Sequence, residues 1–353
     1  MRLTTATRVA ILMHAGLQGI SGKTGLAYLR YGEATVVAVI DSEAVGRSLA
    51  ALTGIDRDVP IVGSVAEALV YEPDVLLIGI APSGGGLPEA WLVEVRQAIA
   101  AGLSLVNGLH RPLAPLATDL SDDLQPGQWI WDIRQEPAGL RVGSGAARSL
   151  TSQRVLTVGT DMAIGKMSTG LELWRAARAQ GWRAEFVATG QGGLAIAGQG
   201  VPLDAVRVDF AAGAVEQAVL AVGQDCELLF IEGQGSLLHP GSTATLPLLR
   251  GSQATDLILV HRAGQLTVNQ CPDVVIPPLP DVVALYEQVS RAAGAFPGAQ
   301  VRGVALNTQA LTESEARQAI AQAQQDTGLP CTDAVRFGPE PLLTALLASQ
   351  TIS

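Results

Sequence analysis

Two lysines stand among 21 arginines, and both directly follow a glycine: Gly22-Lys23-Thr24 and Gly165-Lys166-Met167-Ser168. A coding bias toward arginine is one explanation. The other is chemical. A Gly-Lys pair at the start of a helix is how a phosphate loop is built: backbone N–H groups and the helix dipole face the anion, and the lysine adds a point charge.

The fuller of the two motifs is Gly159-Thr160-Asp161-Met162-Ala163-Ile164-Gly165-Lys166-Met167-Ser168-Thr169. It lies between a strand expected over 155–158 and a helix expected over 166–180, which is where a phosphate loop must sit. The interval is one residue longer than the usual GxxxxGK[ST]. Met167 occupies the usual hydroxyl position and cannot ligate magnesium; Ser168 and Thr169 follow as imperfect substitutes. Phosphate binding is therefore expected, magnesium-ATP hydrolysis much less so, and a plain glycine-rich turn is the alternative.

The second motif, Gly16-Leu17-Gln18-Gly19-Ile20-Ser21-Gly22-Lys23-Thr24, repeats the same glycine to Gly-Lys interval after a first strand. Asp41 ends the next strand, at the place where dinucleotide folds put an acid for a ribose hydroxyl. A strict GxGxxG is absent. The loop reads either as a nucleotide- or CoA-type site or as part of a degenerate domain used for assembly. Ser83-Gly84-Gly85-Gly86 is a further glycine run, suited to close backbone approach or simply a loose loop.

A third constellation is Phe230-Ile231-Glu232-Gly233-Gln234-Gly235-Ser236-Leu237-Leu238-His239-Pro240. Glu232 falls at the carboxyl end of a strand expected over 228–231, the edge where open parallel sheets bind ligands. A carboxylate there suits a general base, a metal ligand or a turn cap. His239 shares the loop and is the best acid/base histidine of the four. The others, His14, His110 and His261, also fall at expected strand ends. Arg262 suits a substrate carboxylate, or a surface ion pair. Asp204 and Asp209 suit a substrate amine or the cap of a helix starting near 211. Asn307 suits a nucleobase edge, or a turn.

The elements that must position these groups alternate strand and helix. Strands are expected over 9–13, 36–40, 75–80 and 103–106, with helices over 25–31, 65–70 and 88–101. Continuous apolar strands alternating with helices imply a buried parallel sheet, hence a Rossmann-like domain. Pro112, Pro115, Pro126 and Pro137 break the rhythm and mark a joining segment of about 111–150, with a strand over 129–133. Alternation then resumes: strands over 155–158, 184–188, 228–231, 257–260, 301–306 and 334–336, helices over 166–180, 211–222, 281–293 and 313–327. We expect an α/β chain with two domains, 1–145 including the joining segment and 146–353. The second is a three-layer α/β/α domain of the P-loop NTPase type.

At 353 residues, 48% apolar, the chain has the length and composition for a large buried core. A net charge of −10 and only 4% aromatic residues disfavour nucleic-acid binding. No apolar run approaches the roughly 18 residues of a membrane span, and the first apolar run is too short for a signal-peptide core. Three scattered cysteines (Cys226, Cys271, Cys331) read as reduced thiols in a cytoplasmic protein. No metal site is expected.

Taken together, GTDMAIGKMST, VPLDAVRVDFAAGAVEQ, EGQGSLLHP and DLILVHRAGQ, with VAILMHAG, GLAYLRYG, VVAVID and VNGLH upstream, resemble the D-glutamate N-acetyltransferase family. This bacterial and archaeal family was formerly known only as a domain of unknown function. The resemblance spans nearly the whole chain and includes the methionine at 167. It implies transfer of acetyl from acetyl-CoA to the amine of D-glutamate. Gly159, Thr160, Asp161, Gly165, Lys166, Met167, Ser168, Thr169 and Asn307 would be on the coenzyme side, Arg262, Asp209 and Lys23 on the amino-acid side, and Glu232 and His239 catalytic. The second domain also resembles dethiobiotin-synthetase-like proteins, which share the Gly-Thr-Asp start. That implies the alternative of an ATP- and magnesium-dependent ligase or kinase. A non-catalytic nucleotide- or CoA-binding module is the third reading. A homo-oligomer is the expectation for such enzymes.

Overall fold

The computed structural model describes residues 3–82, 86–114, 124–292, 294–295 and 298–350. Pro115 and the Ser83–Gly85 stretch lie outside them. The chain forms two compact units, one comprising Met1–Gln135 with Gln191–Gly198, the other Glu136–Gly190 with Gln199–Ser353.

The first unit is built on a six-stranded sheet: β1 (Arg8–Leu12), β2 (Thr35–Ile40), β3 (Ile61–Val62), β4 (Val75–Ile78), β5 (Ser104–Asn107) and β6 (Ile130–Asp132). Its order is β3-β2-β1-β4-β5-β6 and every pairing is parallel. This is the order of dinucleotide-binding sheets. Apolar residues such as Ile11, Leu76 and Leu105 are fully buried. Parallel strands need crossovers, and those helices cover the sheet faces. The strand expected in the joining segment is β6, and it completes this sheet.

The second unit holds β7 (Gln153–Gly159), β8 (Ala184–Val187), β9 (Leu228–Ile231), β10 (Asp256–Arg262), β13 (Gln300–Asn307) and β14 (Cys331–Thr332), again all parallel, in the order β14-β13-β10-β7-β9-β8. A separate antiparallel pair, β11 (Thr267–Val268) and β12 (Cys271–Val275), follows β10. β7 lies between β9 and β10, so the three loops with chemical promise leave adjacent strands at the same edge.

One expectation needs correction. The strand expected over 334–336 is a turn. The carboxylate of Asp333 accepts the N–H groups of Val335 and Arg336 at 3.1 and 3.0 Å, and this turns the chain after β14. The stretch 201–210 holds two 3-10 turns, Leu203–Ala205 and Val208–Phe210. Thr245–Ser252 and Glu340–Gln350 are helices despite Pro247 and Pro341. Both prolines sit in a first turn, where their missing N–H breaks no bond.

Candidate functional site

The loop after β7 ends at Gly165, whose φ of 114° caps helix Lys166–Ala179. Ala163 is also left-handed, at φ 54°. For a residue with a Cβ this costs roughly 1–2 kcal/mol, so the surrounding contacts must impose it. Three donors do. Lys166 Nζ donates to the Asp161 carbonyl at 2.6 Å, Arg262 Nη2 to the Ala163 carbonyl at 2.9 Å, and Asn307 Nδ2 to the Ile164 carbonyl at 3.1 Å. The loop carbonyls are thereby held toward the protein. The first N–H groups of the helix lack intrahelical partners by construction and are the natural anion donors.

Asp161 is fully buried, and its carboxylate works inside the fold. It accepts from its neighbour Met162 N–H at 2.6 Å, from Asn269 N–H at 2.7 Å, and from the Gln265 side chain. The aspartate therefore ties the phosphate loop to the β10–β11 and β11–β12 turns. Thr160 is equally buried and pairs with His261 Nδ1 at 2.9 Å. Burial pushes the His261 imidazole down to about 4, so it is neutral at ordinary pH.

Lys166 and Glu232 are the charged centre. Lys166 is buried, and burial lowers its ammonium to about 8 against the pull of Asp161 and Glu232. Glu232, just after β9, is also buried; desolvation raises its carboxyl, opposed by N–H donors and by Lys166. Its Oε2 accepts the N–H groups of Thr189 and Gly190 at 2.9 and 3.1 Å. This backbone grip fixes the carboxylate without neutralising it.

The Glu232 loop leaves the sheet tightly. Gly233 N–H donates to Thr157 Oγ1 at 2.9 Å, and a Cβ at Gly233 would lie 1.6 Å from the Thr157 carbonyl oxygen, so only glycine fits. Tyr286 then joins two loops: its hydroxyl donates to the Gly159 carbonyl at 2.7 Å and accepts the Leu237 N–H at 3.1 Å. His239 is partly exposed, and its Nδ1 accepts the Gly241 N–H at 3.0 Å. That bond leaves Nε2 to carry the proton of the neutral ring.

The structure thus gathers Gly159, Thr160, Asp161, Gly165, Lys166, Arg262 and Asn307 around one loop, with Glu232 within charge reach of Lys166. Met167 and Ser168 are partly exposed on the first helical turn, and Thr169 is buried. Asp209 is exposed in the 3-10 turn before helix Ala211–Gly223. That helix is capped by Phe210 without a side-chain bond, so Asp209 is not its cap. Lys23 is exposed and belongs to the first unit. There Asp41 accepts the Ala15 N–H at 3.2 Å and the Glu43 N–H at 3.1 Å, and buried His14 pairs with Glu94 at 2.8 Å. Both are turned into the fold. His110 meets Arg134 Nη1 at 3.0 Å. Sequence reasoning missed Tyr286, Gln265 and Thr157. They carry no motif, and what selects them is contact across the sheet edge. Among the described residues no three His, Cys, Asp or Glu side chains converge on a metal position, and no helix is long and apolar enough to cross a membrane.

Comparison with known proteins follows the same division. Residues 42–136 match a Rossmann-like N-terminal domain of unknown function (DUF1611_N), and residues 141–343 match its C-terminal P-loop domain (DUF1611_C). A crystal structure of a DUF1611 family protein from Anabaena variabilis is 62% identical, with a TM-score of 0.92 over 97% of this chain and 99% of that one. A Pseudoalteromonas protein named D-glutamate N-acetyltransferase is 32% identical over 80% of this chain and 84% of its own length. A protein of the same name from Tritonibacter scottomollicae is 34% identical over 81% and 84%. The matches to both halves, and to these relatives along most of their length, place the chain in the DUF1611 family, with its Rossmann-like N-terminal and P-loop C-terminal domains.

Proposed function

We propose that this chain is an N-acetyltransferase that moves acetyl from acetyl-CoA to the amine of D-glutamate or a similar amino acid. The observation that carries this reading is the burial of Lys166 in the phosphate loop and of Glu232 at the end of a neighbouring strand, in a chain whose named relatives are D-glutamate N-acetyltransferases. Lys166 keeps two N–H donors beyond its bond to Asp161, enough to hold a coenzyme phosphate.

The acceptor arrives as an ammonium and must lose a proton. Glu232, whose carboxyl burial raises above its ordinary range, takes that proton. The freed nitrogen attacks the thioester carbonyl. Backbone N–H groups stabilise the tetrahedral oxyanion; collapse breaks the C–S bond, and the second proton of the attacking nitrogen passes to the departing coenzyme A thiolate, leaving the neutral amide. His239, with its proton on Nε2, is a donor to the substrate or to that thiolate. Arg262 and Asp209 serve the substrate's carboxylate and amine. The charge of Lys166 reaches Glu232, so base and phosphate site are neighbours.

The same proximity favours a second reading, an ATP- and magnesium-dependent ligase, in which the reacting phosphate itself sits at the loop. Met167 argues against it, since a thioether cannot replace the magnesium-binding hydroxyl. Thiol release from acetyl-CoA, measured with D-glutamate, L-glutamate and no acceptor, separates the two. Thiol release only with an amino acid present supports the transferase. Acceptor-dependent phosphate release from magnesium-ATP, with no thiol release, selects the ligase. Glu232→Gln is expected to lower turnover at least ~100-fold while leaving acetyl-CoA binding intact. Near-normal turnover in that variant would remove Glu232 as the base.

A further inference from the structure

At the other end of the second sheet, where β7, β10 and β13 begin, lies a cavity of about 710 Å³. Open parallel sheets bind their ligands at the carboxyl edge, so this cavity is not the site described above. Its size is that of a small-molecule pocket. Arg154, Arg291 and Arg302 line it against a single carboxylate, Asp256. In a chain of net charge −10 that local surplus of positive charge is unusual.

The charges are held by a built framework. Asp256 is only 3% exposed. One of its oxygens takes Arg302 Nε, and the other accepts from Gln153 Nε2 at 3.0 Å and Thr255 Oγ1 at 2.8 Å. Its capacity is spent on orienting Arg302. Arg154 is 2% exposed, and its donors meet only carbonyls: Gln253 at 2.8 Å, Leu150 at 2.9 Å and Ser152 at 2.8 Å. Carbonyls satisfy hydrogen bonds but carry no countercharge; the carboxylate whose charge reaches Arg154 is Asp256, which Arg302 already engages. Arg291 has no carboxylate partner among the described residues. Its stem crosses Gly298, where φ is +95° and a Cβ would lie 2.5 Å from Arg291 Cγ. Glycine there gives the arginine its path along the cavity wall.

We propose that this cavity is a second binding site, for a small organic anion bearing a phosphate or a pair of carboxylates, gripped by Arg291 and Arg302 and balancing the buried charge of Arg154. Two guanidiniums match either anion through paired N–H donors. The anion supplies the countercharge that Asp256 alone does not.

The test is calorimetric titration of the full chain with glutarate and, separately, with glycerol 3-phosphate; whichever binds names the ligand chemistry. Binding is expected to weaken ~tenfold in Arg291→Gln and ~100-fold in Arg291→Gln/Arg302→Gln, yet to stay within about twofold in Lys166→Ala. Arg291 is exposed, so its single variant should fold; an unchanged thermal midpoint verifies this. The proposal is overturned if neither probe binds below about 10 mM, if Arg291→Gln binds as the parent does, or if Lys166→Ala abolishes binding. The last result would return the anion to the phosphate loop.

Discussion

The two Gly-Lys loops share one spacing and differ in almost everything else. Both place lysine as the first residue of a helix, Lys23–Tyr31 in the first unit and Lys166–Ala179 in the second. In the first, residues Ile20–Gly22 wind into a 3-10 turn and the glycines pack on one another. A Cβ on Gly22 would stand 2.0 Å from the Gly16 carbonyl oxygen, and one on Gly25 would meet Met13 Sδ at the same distance. Here glycine serves close packing, and Lys23 is left exposed. In the second, Gly165 has a positive φ but open space, with Asn307 Nδ2 its nearest neighbour at 3.7 Å. There glycine serves a conformation, the loop stays open, and the lysine is drawn inside. Equal spacing thus marks two loops and distinguishes neither; the neighbouring strands decide which can hold an anion.

That contrast is sharpest in stability. Gly22→Ala forces a Cβ onto backbone and should cost about 3 kcal/mol or more in the first unit. Gly165→Ala meets only conformational strain and should cost about 1–2 kcal/mol. Chemical denaturation of both variants checks the order. Equal costs would mean that the loops are alike after all.

Binding should separate the loops nearly as strongly. Lys166→Ala is expected to raise the acetyl-CoA dissociation constant ~30-fold, about 2 kcal/mol, whereas Lys23→Ala should change it less than twofold. A large effect from Lys23 would break the comparison. The pH dependence refines it. The Lys166 ammonium, lowered to about 8, is cationic below that pH and neutral above it. Phosphate affinity should therefore hold below about pH 8 and fall above it, by about 30-fold in all once the ammonium is neutral. Lys166→Ala should abolish that alkaline fall.

The smallest expected effect is at Tyr286. Tyr286→Phe removes two hydrogen bonds between the phosphate-loop strand and the 232–240 loop, worth about 1–2 kcal/mol. Its effect should appear in turnover more than in acetyl-CoA affinity, because it loosens the Glu232 loop and spares Lys166. Steady-state kinetics with acetyl-CoA varied would show a lowered kcat at near-constant KM.

Strand and helix rhythm was legible because it is local. The apolar runs of β4 and β9 are bounded on both sides by glycine or acids, and those of β7 and β10 on one side, and such runs favour buried parallel strands. The phosphate loop was legible for the same reason, since a glycine to Gly-Lys interval between strand and helix is a local code. Less legible were helices that open on proline, Thr245–Ser252 and Glu340–Gln350, and the short strand Cys331–Thr332, which the pairing with β13 defines.

By itself, then, the sequence determined two α/β halves, the loop with Lys166, and Glu232 at a strand end. Only the tertiary structure decided their roles. It turned Asp161 and Thr160 inward, aimed Arg262 and Asn307 at loop carbonyls, closed the Lys23 loop on itself, and left three arginines around one aspartate at the far edge. The physical reason is range. Backbone conformation follows near neighbours in sequence, but burial, countercharge and hydrogen-bond supply come from residues tens or hundreds of positions away, brought close only when the strands pair.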